Sequence, residues 1–403
     1  MATSGPRVLL VTNDFPPTLG GIQSYLRDYC GLIDPDRLTV FASTQDREAA
    51  RRHDAGLPYR VVRWPRRVML PTPATGRAMA DLIRAEGIDT VWFGSSTPLG
   101  LLAGRARAAG ATRVIASTHG HEVGWSMVPG GRAVLRRIGR DCDCLTFVSR
   151  YARRRFASAF GPDVALEPLP GGVDTARFHP DPDAADHIRA RYGVPAGRPL
   201  VVCVSRIVPR KGQDTLVEAM PGILRTVPDA HLLVVGPGGG PDASPREYGS
   251  RLARRAGDLG VADHVTFTGP VPPEDLVGAF SAGDVFAMPV RTRAGGFSVE
   301  GLGIVFLEAQ ACGVPTVAGD GGGAPETVVD GVTGDVVDGR DTGDVARTVA
   351  ALLVDAARRR RYGRAGRDHM VAAWDWEVMG RQFRAVLAGD GRVPPRHSWT
   401  SSG

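Results

Sequence analysis

The sequence predicts an α/β protein built of two doubly wound domains, each on a parallel sheet. Three observations carry this. Short, continuous apolar runs alternate with Arg- and Ala-rich helical stretches, which is how strands covered on both faces read. The alternation breaks once, at Phe178-His179-Pro180-Asp181-Pro182-Asp183, and then restarts. Finally, 403 residues exceed what one ordinary core accommodates.

Taken in order, the first strand is 7–12 (RVLLVT), ending at the turn-rich Asn13-Asp14-Phe15-Pro16-Pro17. Gly20-Gly21 and the helical stretch IQSYLRDYCGLI follow. Further strands are expected at 38–42, 90–94, 114–117 and 145–148, and after the break at 200–206, 231–236, 264–269 and 285–290. Trp374-Asp375-Trp376-Glu377 opens a last amphipathic helix. The expected organisation is a first domain over 1–180, a second over 181–375, and a crossover helix over 376–390 that packs back on the first. A disordered tail is expected over 391–403. Two such domains facing one another would form a cleft where strand C-termini and helix N-termini converge.

Hydrophobic content of 43% with 23% charged residues is that of a soluble globular chain. No run of about 18 apolar residues offers a membrane span. The N-terminus lacks the basic, apolar and cleavage-site order of a signal peptide. Five scattered cysteines form no framework, which fits a cytoplasmic protein. The net charge of +6 points to anionic partners, but no nucleic-acid motif appears. Nearly all the positive charge is arginine, and Lys211 is the only lysine. A lysine that survives such a skew marks a place where a compact ammonium is needed.

The most specific motif is Glu300-Gly-Leu-Gly-Ile-Val-Phe-Leu-Glu308, followed by Ala-Gln-Ala-Cys-Gly-Val-Pro. Its glycines form a tight loop and the run from Val305 starts a helix. The first amides of that helix, near Ile304, Val305 and Phe306, are free to hold a phosphate or sugar oxygen. Glu300 and Glu308 can grip vicinal hydroxyls, since a carboxylate only accepts hydrogen bonds. In Ser205-Arg206-Ile-Val-Pro-Arg210-Lys211-Gly212 the arginine fork and the lysine point charge suit a diphosphate leaving group. A metal would need an Asp-x-Asp motif. Asp34/Asp36 and Asp181/Asp183 lie in proline turns, and Asp141/Asp143 precedes a strand, so no metal or cofactor is expected. Gly20-Gly21 brings bare amides near a helix start, a weak signal that a plain turn explains equally well. His119 ends a parallel strand and therefore faces the crevice. The segment Arg63-Trp64-Pro65-Arg66-Arg67-Val68-Met69-Leu70 mixes cations with apolar residues. Arg63, Trp64, Arg66, Arg67, Met69 and Leu70 are thus candidates for contact with an anionic membrane surface, an ordinary interdomain loop being the even alternative. Arg132, Arg136, Arg137 and Arg153–Arg155 add basic helix faces.

These motifs together resemble the retaining glycosyltransferases of family 4, the glycogen-synthase-like and sucrose-synthase-like group with the GT-B fold. More narrowly, VTNDFPPTLGGIQSYLRDY, RWPRRVMLPTP, ASTHGHEVGWSM and the VEGLGIVFLEAQACGVP stretch resemble the actinobacterial GDP-mannose-dependent phosphatidylinositol monomannoside α-(1-6)-mannosyltransferases. The likeness runs through about 7–385. It implies two Rossmann-like domains, GDP-mannose as donor and an anionic glycophospholipid as acceptor. It places the enzyme peripherally on the cytoplasmic face of the plasma membrane. His119 and Glu300 take catalytic roles at the transferred sugar. Gly20, Gly21, Arg206, Lys211, Ile304, Val305, Phe306 and Glu308 hold the donor diphosphate and ribose, and Val271 meets the base. Asn13, Gln23, His121 and Glu122 flank the acceptor, with His121 as easily a support as a contact. The motifs alone leave open another donor such as UDP-glucose, another glycolipid acceptor, and a binding protein that has lost catalysis; they do not set the oligomeric state. The stretch 236–250 is longer and richer in glycine than the resemblance predicts.

Overall fold

The computed structural model describes residues 5–18, 20–238, 247–296 and 298–390. The expected tail and most of the glycine-rich stretch therefore lie outside the described residues. The chain divides into two compact units, one of residues up to 171 together with those from 379, the other of 172–378.

The first unit holds seven strands: β1 (Val8–Thr12), β2 (Leu38–Ala42), β3 (Arg60–Arg63), β4 (Thr90–Phe93), β5 (Arg113–Thr118), β6 (Cys144–Phe147) and β7 (Ala165–Pro168). They pair in the order β3-β2-β1-β4-β5-β6-β7, all parallel. The order reverses direction beside β1, which places the C-terminal ends of β1 and β4 at the switch point where such sheets bind ligands. Every residue of β1, β2, β4 and β6 is buried, as the unbroken apolar runs require. The second unit holds β8 (Leu200–Val204), β9 (His231–Val235), β10 (Val265–Gly269), β11 (Val285–Met288), β12 (Thr316–Gly319) and β13 (Gly334–Val337). Their order is β10-β9-β8-β11-β12-β13, again parallel throughout. The switch here lies beside β8, between Ser205-Arg206 and the loop after β11.

The observed division falls nine residues before the expected 180/181 boundary, at 171/172, for a physical reason. Residues 172–180 are tied to the second unit's closing segment. Val173 N–H donates to the Trp374 carbonyl at 2.9 Å, and Arg367 donates to the carbonyls of Phe178 and Thr175. Phe178 is buried with its ring 6.0 Å from that of Phe280. Asp181 does not float in a linker; it caps the helix Pro182–Arg191, accepting from Ala184 N–H at 2.9 Å. The last helix, Trp376–Ala388, returns the chain to the first unit, which it joins from Met379 on. There Phe383 is fully buried, its ring 4.8 Å from Tyr29 and 5.0 Å from Trp92, and Arg113 donates to the Val386 carbonyl. All five cysteines are free and buried. No helix among the described residues is long and apolar enough to cross a membrane.

Candidate active site

In the second unit the C-terminal ends of β8, β9 and β10 are drawn together by backbone. Ser205 N–H donates to the Val235 carbonyl and Gly236 N–H to that of Gly269, each at 2.9 Å. Gly236 has a φ of 140°, and a Cβ there would sit 2.1 Å from the Ser205 carbonyl oxygen. Only glycine permits that approach. Arg206 leaves β8 at this edge and is exposed. Its carbonyl accepts from the buried Gln213 amide at 3.0 Å, which also reaches Ser205 Oγ at 2.8 Å. Val271 lies two residues beyond β10 on the same edge.

Lys211 ends a short 3-10 turn, Pro209–Lys211, ahead of the helix Gln213–Thr226. Its ammonium is 2.7 Å from Glu300 Oε2, the two side chains being 11% and 13% exposed. Arg210 Nε stands 3.8 Å from the same oxygen. The structure therefore joins two groups that the sequence left in separate motifs. Glu300 is itself held by the Gly322-Gly323 loop, whose Gly323 N–H donates to the Glu300 carbonyl at 3.0 Å. Gly303 takes a φ of 97° and starts the helix Ile304–Ala311. Phe306 N–H turns back onto the Gly303 carbonyl at 3.1 Å and its ring is core. Its amide is thus not available to a ligand as the sequence suggested, while the described backbone bonds leave those of Ile304 and Val305 without a carbonyl partner. Glu308 is half-buried in the same helix.

In the first unit His119 follows β5, half-buried, with Nε2 2.7 Å from the Gly94 carbonyl and Tyr25 edge-on to its ring at 4.9 Å. That bond needs a hydrogen on Nε2. Burial pushes the His119 pKa below the ordinary 6.5, with the Glu122 carboxylate pulling the other way. A depressed value gives stability that is present above 6.5 and lost as pH falls, because the unfolded histidine then takes up the proton more readily. His231, lowered to about 4 by burial, acts in the same direction. Wild type is therefore expected to lose urea resistance between pH 7 and pH 5, and His119→Asn to lose less. Equal losses in the two proteins would mean that His119 does not titrate as its surroundings dictate.

Several expected acceptor and membrane contacts prove to be structural. Glu122 is fully buried, and its oxygens accept from Ser96 Oγ at 2.8 Å and from the amides of His119 and Gly120 at 3.1 Å. It shapes the turn that presents His119 rather than lining an acceptor pocket. His121 is exposed and shares Nε2 with Ser95 Oγ and Thr97 Oγ1, both at 3.1 Å, groups the sequence did not single out. Asn13 is committed to the Met69 backbone, donating to its carbonyl at 2.9 Å and accepting from its N–H at 2.6 Å. Met69 is fully buried. Arg63 is 15% exposed, paired with Asp54 at 2.7 Å and bonded to the carbonyls of Ser43 and Pro16. Trp64 packs on the first unit's core. The full burial of Glu122 and Met69 corrects the acceptor and membrane contacts expected of them, while Asn13, Arg63 and Trp64 are engaged by other parts of the first unit. Arg66, Arg67 and Leu70 do remain exposed, together with Val68. Gln23 reaches Asp14 at 3.2 Å, and Gly20 and Gly21 are exposed at the start of the helix Gly21–Cys30.

The Asp-x-Asp pairs have structural duties. Asp34 accepts from Asp36 N–H and Asp181 caps a helix, while Asp143 accepts from Val114 N–H and pairs with Arg107.

Paired doubly wound units, with cations and a carboxylate at the strand ends of one and a histidine at a strand end of the other, define the GT-B class of glycosyltransferases. The solved neighbours agree on the fold. The Anabaena protein HepE, solved with UDP, superposes with a TM-score of 0.78 at 19% identity, covering 95% of this chain and 100% of that one. The sucrose-phosphate synthase of Thermosynechococcus elongatus gives 0.73 at 24%, covering 95% and 100%. Family models described as Glycosyltransferase Family 4 and Glycosyl transferases group 1 match residues 19–177 and 185–369. The GDP-mannose-dependent monoacylated alpha-(1-6)-phosphatidylinositol monomannoside mannosyltransferase of Corynebacterium glutamicum is 52% identical over 96% of this chain and 99% of its own. The GDP-mannose-dependent alpha-(1-6)-phosphatidylinositol monomannoside mannosyltransferase of Mycobacterium tuberculosis is 56% identical over 95% and 98%. The chain belongs to the glycosyltransferase family that these relatives form.

Proposed function

We propose that this enzyme transfers mannose from GDP-mannose to a phosphatidylinositol monomannoside, with retention of configuration and without a metal ion. The observation that carries the reading is the Lys211–Glu300 pair, in a unit that also presents Arg206 just after β8 and the start of the helix Ile304–Ala311. A diphosphate leaving group develops negative charge as its bond to the sugar breaks, and fixed cations stabilise that charge without reorganising. Arg206 supplies the fork and Lys211 the point charge, so neutralisation needs no metal. The amides of Ile304 and Val305 complete the oxyanion contacts. Glu300 takes the donor-sugar hydroxyls and Glu308 those of the ribose, with backbone near Val271 on the guanine. The acceptor hydroxyl attacks the anomeric carbon on the face the diphosphate leaves, the carbon–oxygen bond to phosphate breaks, and a diphosphate oxygen takes the hydroxyl proton. His119, neutral with its hydrogen on Nε2, aligns the sugar. The names of the relatives at 52% and 56% identity support both donor and acceptor. Exposed Arg66, Arg67, Val68 and Leu70 are suited to an anionic membrane surface, where a lipid acceptor resides, and support a peripheral location on the cytoplasmic face.

The test is transfer from radiolabelled GDP-mannose to the monomannoside in anionic vesicles, with UDP-glucose competing and one arm in EDTA. A labelled dimannoside, formed equally in EDTA and less efficiently by Arg66→Ser/Arg67→Ser, is expected. Turnover of UDP-glucose alone would overturn the donor, and loss of product in EDTA the metal-free chemistry.

A further inference from the structure

We propose that Arg291 is a positioning residue for the donor diphosphate: it clamps the first turn of the helix Gln213–Thr226 and so fixes Lys211. This deepens the donor reading given above and rests on it.

Arg291 lies three residues beyond β11, in a run (Arg291-Thr-Arg-Ala-Gly-Gly) that reads as surface basicity. Its side chain is only 10% exposed. The guanidinium donates through Nη2 to Asp214 Oδ2 and through Nη1 to Thr215 Oγ1. Its backbone N–H donates to the Arg210 carbonyl at 2.9 Å. One residue therefore grips positions 210, 214 and 215, and Lys211 sits between them. The grip is seated in the sheet edge. Thr215 Oγ1 also donates to the Gly339 carbonyl at 3.0 Å. Gly212, at a φ of 79°, presses so close to β11's extension that a Cβ would lie 2.0 Å from the Pro289 carbonyl oxygen. On the far side Gly321 packs against the Arg291 backbone, where a Cβ would come 2.6 Å from its Cα.

The physical consequence concerns placement. Lysine has four flexible carbons, so an ammonium set at one point depends on a fixed backbone beneath it. A misplacement of about 1 Å in such a group costs about a hundredfold in rate. The Arg291 fork is engaged by Asp214 and Thr215 and the side chain is only 10% exposed, so its action is assigned to the backbone that carries Lys211. Lysine at 291 would keep the charge but lose the planar, two-pronged geometry.

The experiment measures GDP and UDP binding by titration calorimetry on the full chain, with thermal melting as a fold check, for Arg291→Met and Arg291→Lys in the wild-type and Lys211→Ala backgrounds. Arg291→Met is expected to weaken diphosphate binding about tenfold in wild type and less than about twofold in Lys211→Ala, because groups acting as a unit are not additive. Arg291→Lys falls between. The same loss in both backgrounds, or no loss in a variant that melts normally, overturns the positioning role. Should Arg291→Met fail to fold, Asp214→Asn provides the same comparison with the cation retained, at about threefold. Failure of the wild type to bind either nucleotide would instead overturn the donor reading itself.

Discussion

Lys211→Ala is expected to lower mannosyl transfer about ten- to a hundredfold and also to destabilise the protein, while Lys211→Ala/Glu300→Gln regains the stability and not the activity. The first effect follows from losing a charge-assisted bond to the leaving group, about 1.5–3 kcal/mol, in a site where each tenfold in rate is about 1.4 kcal/mol. The second follows from Glu300, which is 13% exposed and loses the ammonium 2.7 Å away. Removing one partner of a fully buried pair costs about 3–5 kcal/mol, and this slightly exposed pair belongs near or below the lower end. Neutralising Glu300 as well removes the uncompensated charge, so the melting temperature recovers. Both variants lack the cation, so neither transfers sugar efficiently. Two outcomes would defeat the argument: a Lys211→Ala enzyme within threefold of wild type, or a double variant melting no higher than the single one.

Gly322→Ala is expected to be strongly damaging for a single added methyl in the second unit. Gly322 adopts a φ of 67°, and its Cβ would lie 2.1 Å from the Glu300 carbonyl oxygen and 2.8 Å from Val299 Cγ2. A left-handed non-glycine residue costs about 1–2 kcal/mol by itself. The backbone clash adds to this and can be relieved only by moving the Glu300 loop. We expect about 3 kcal/mol of lost stability, roughly 6–12 °C for a unit of this size, and about a hundredfold loss of transfer, since Glu300 leaves its place beside Lys211. Gly331 provides the control. Its φ of 72° is similarly left-handed but nothing lies within 4 Å of a Cβ there, so Gly331→Ala should show the conformational cost alone and keep activity. If the two variants melt and turn over alike, close approach is not why residue 322 is glycine.

The strands legible in the sequence were β1, β2, β4, β5 and β6 in the first unit, and β8, β9, β10 and β11 in the second; in most of them burial on both faces imposes an apolar run. Of the four edge strands only β10 was legible, from its alternating VTFTG run; the others carry no such signature. β3 reads RVVR and β7 reads ALEP, each half-exposed, and both stand at the margins of their sheet. β13 (GDVV) is likewise marginal, and β12 (TVAG) is interior but only four residues long and glycine-ended. Such segments gain their pairing from neighbours already in place rather than from their own pattern.

The sequence by itself determined the α/β alternation, the division into two units to within nine residues, and the charged motifs that carry the proposed donor site. They stand out because a lone lysine is an exception to an arginine-rich background and the two glutamates flank a glycine-marked helix start. What only the tertiary structure decided was direction. It turned Met69 and Glu122 inward, drew Asn13 and Arg63 onto backbone far along the chain, set Lys211 against Glu300, and gave Arg291 a helix turn to hold. Each of these contacts joins residues several to many positions apart in sequence. Local propensity cannot specify them, because they exist only where parallel strands, ordered by crossovers, bring their ends to one edge.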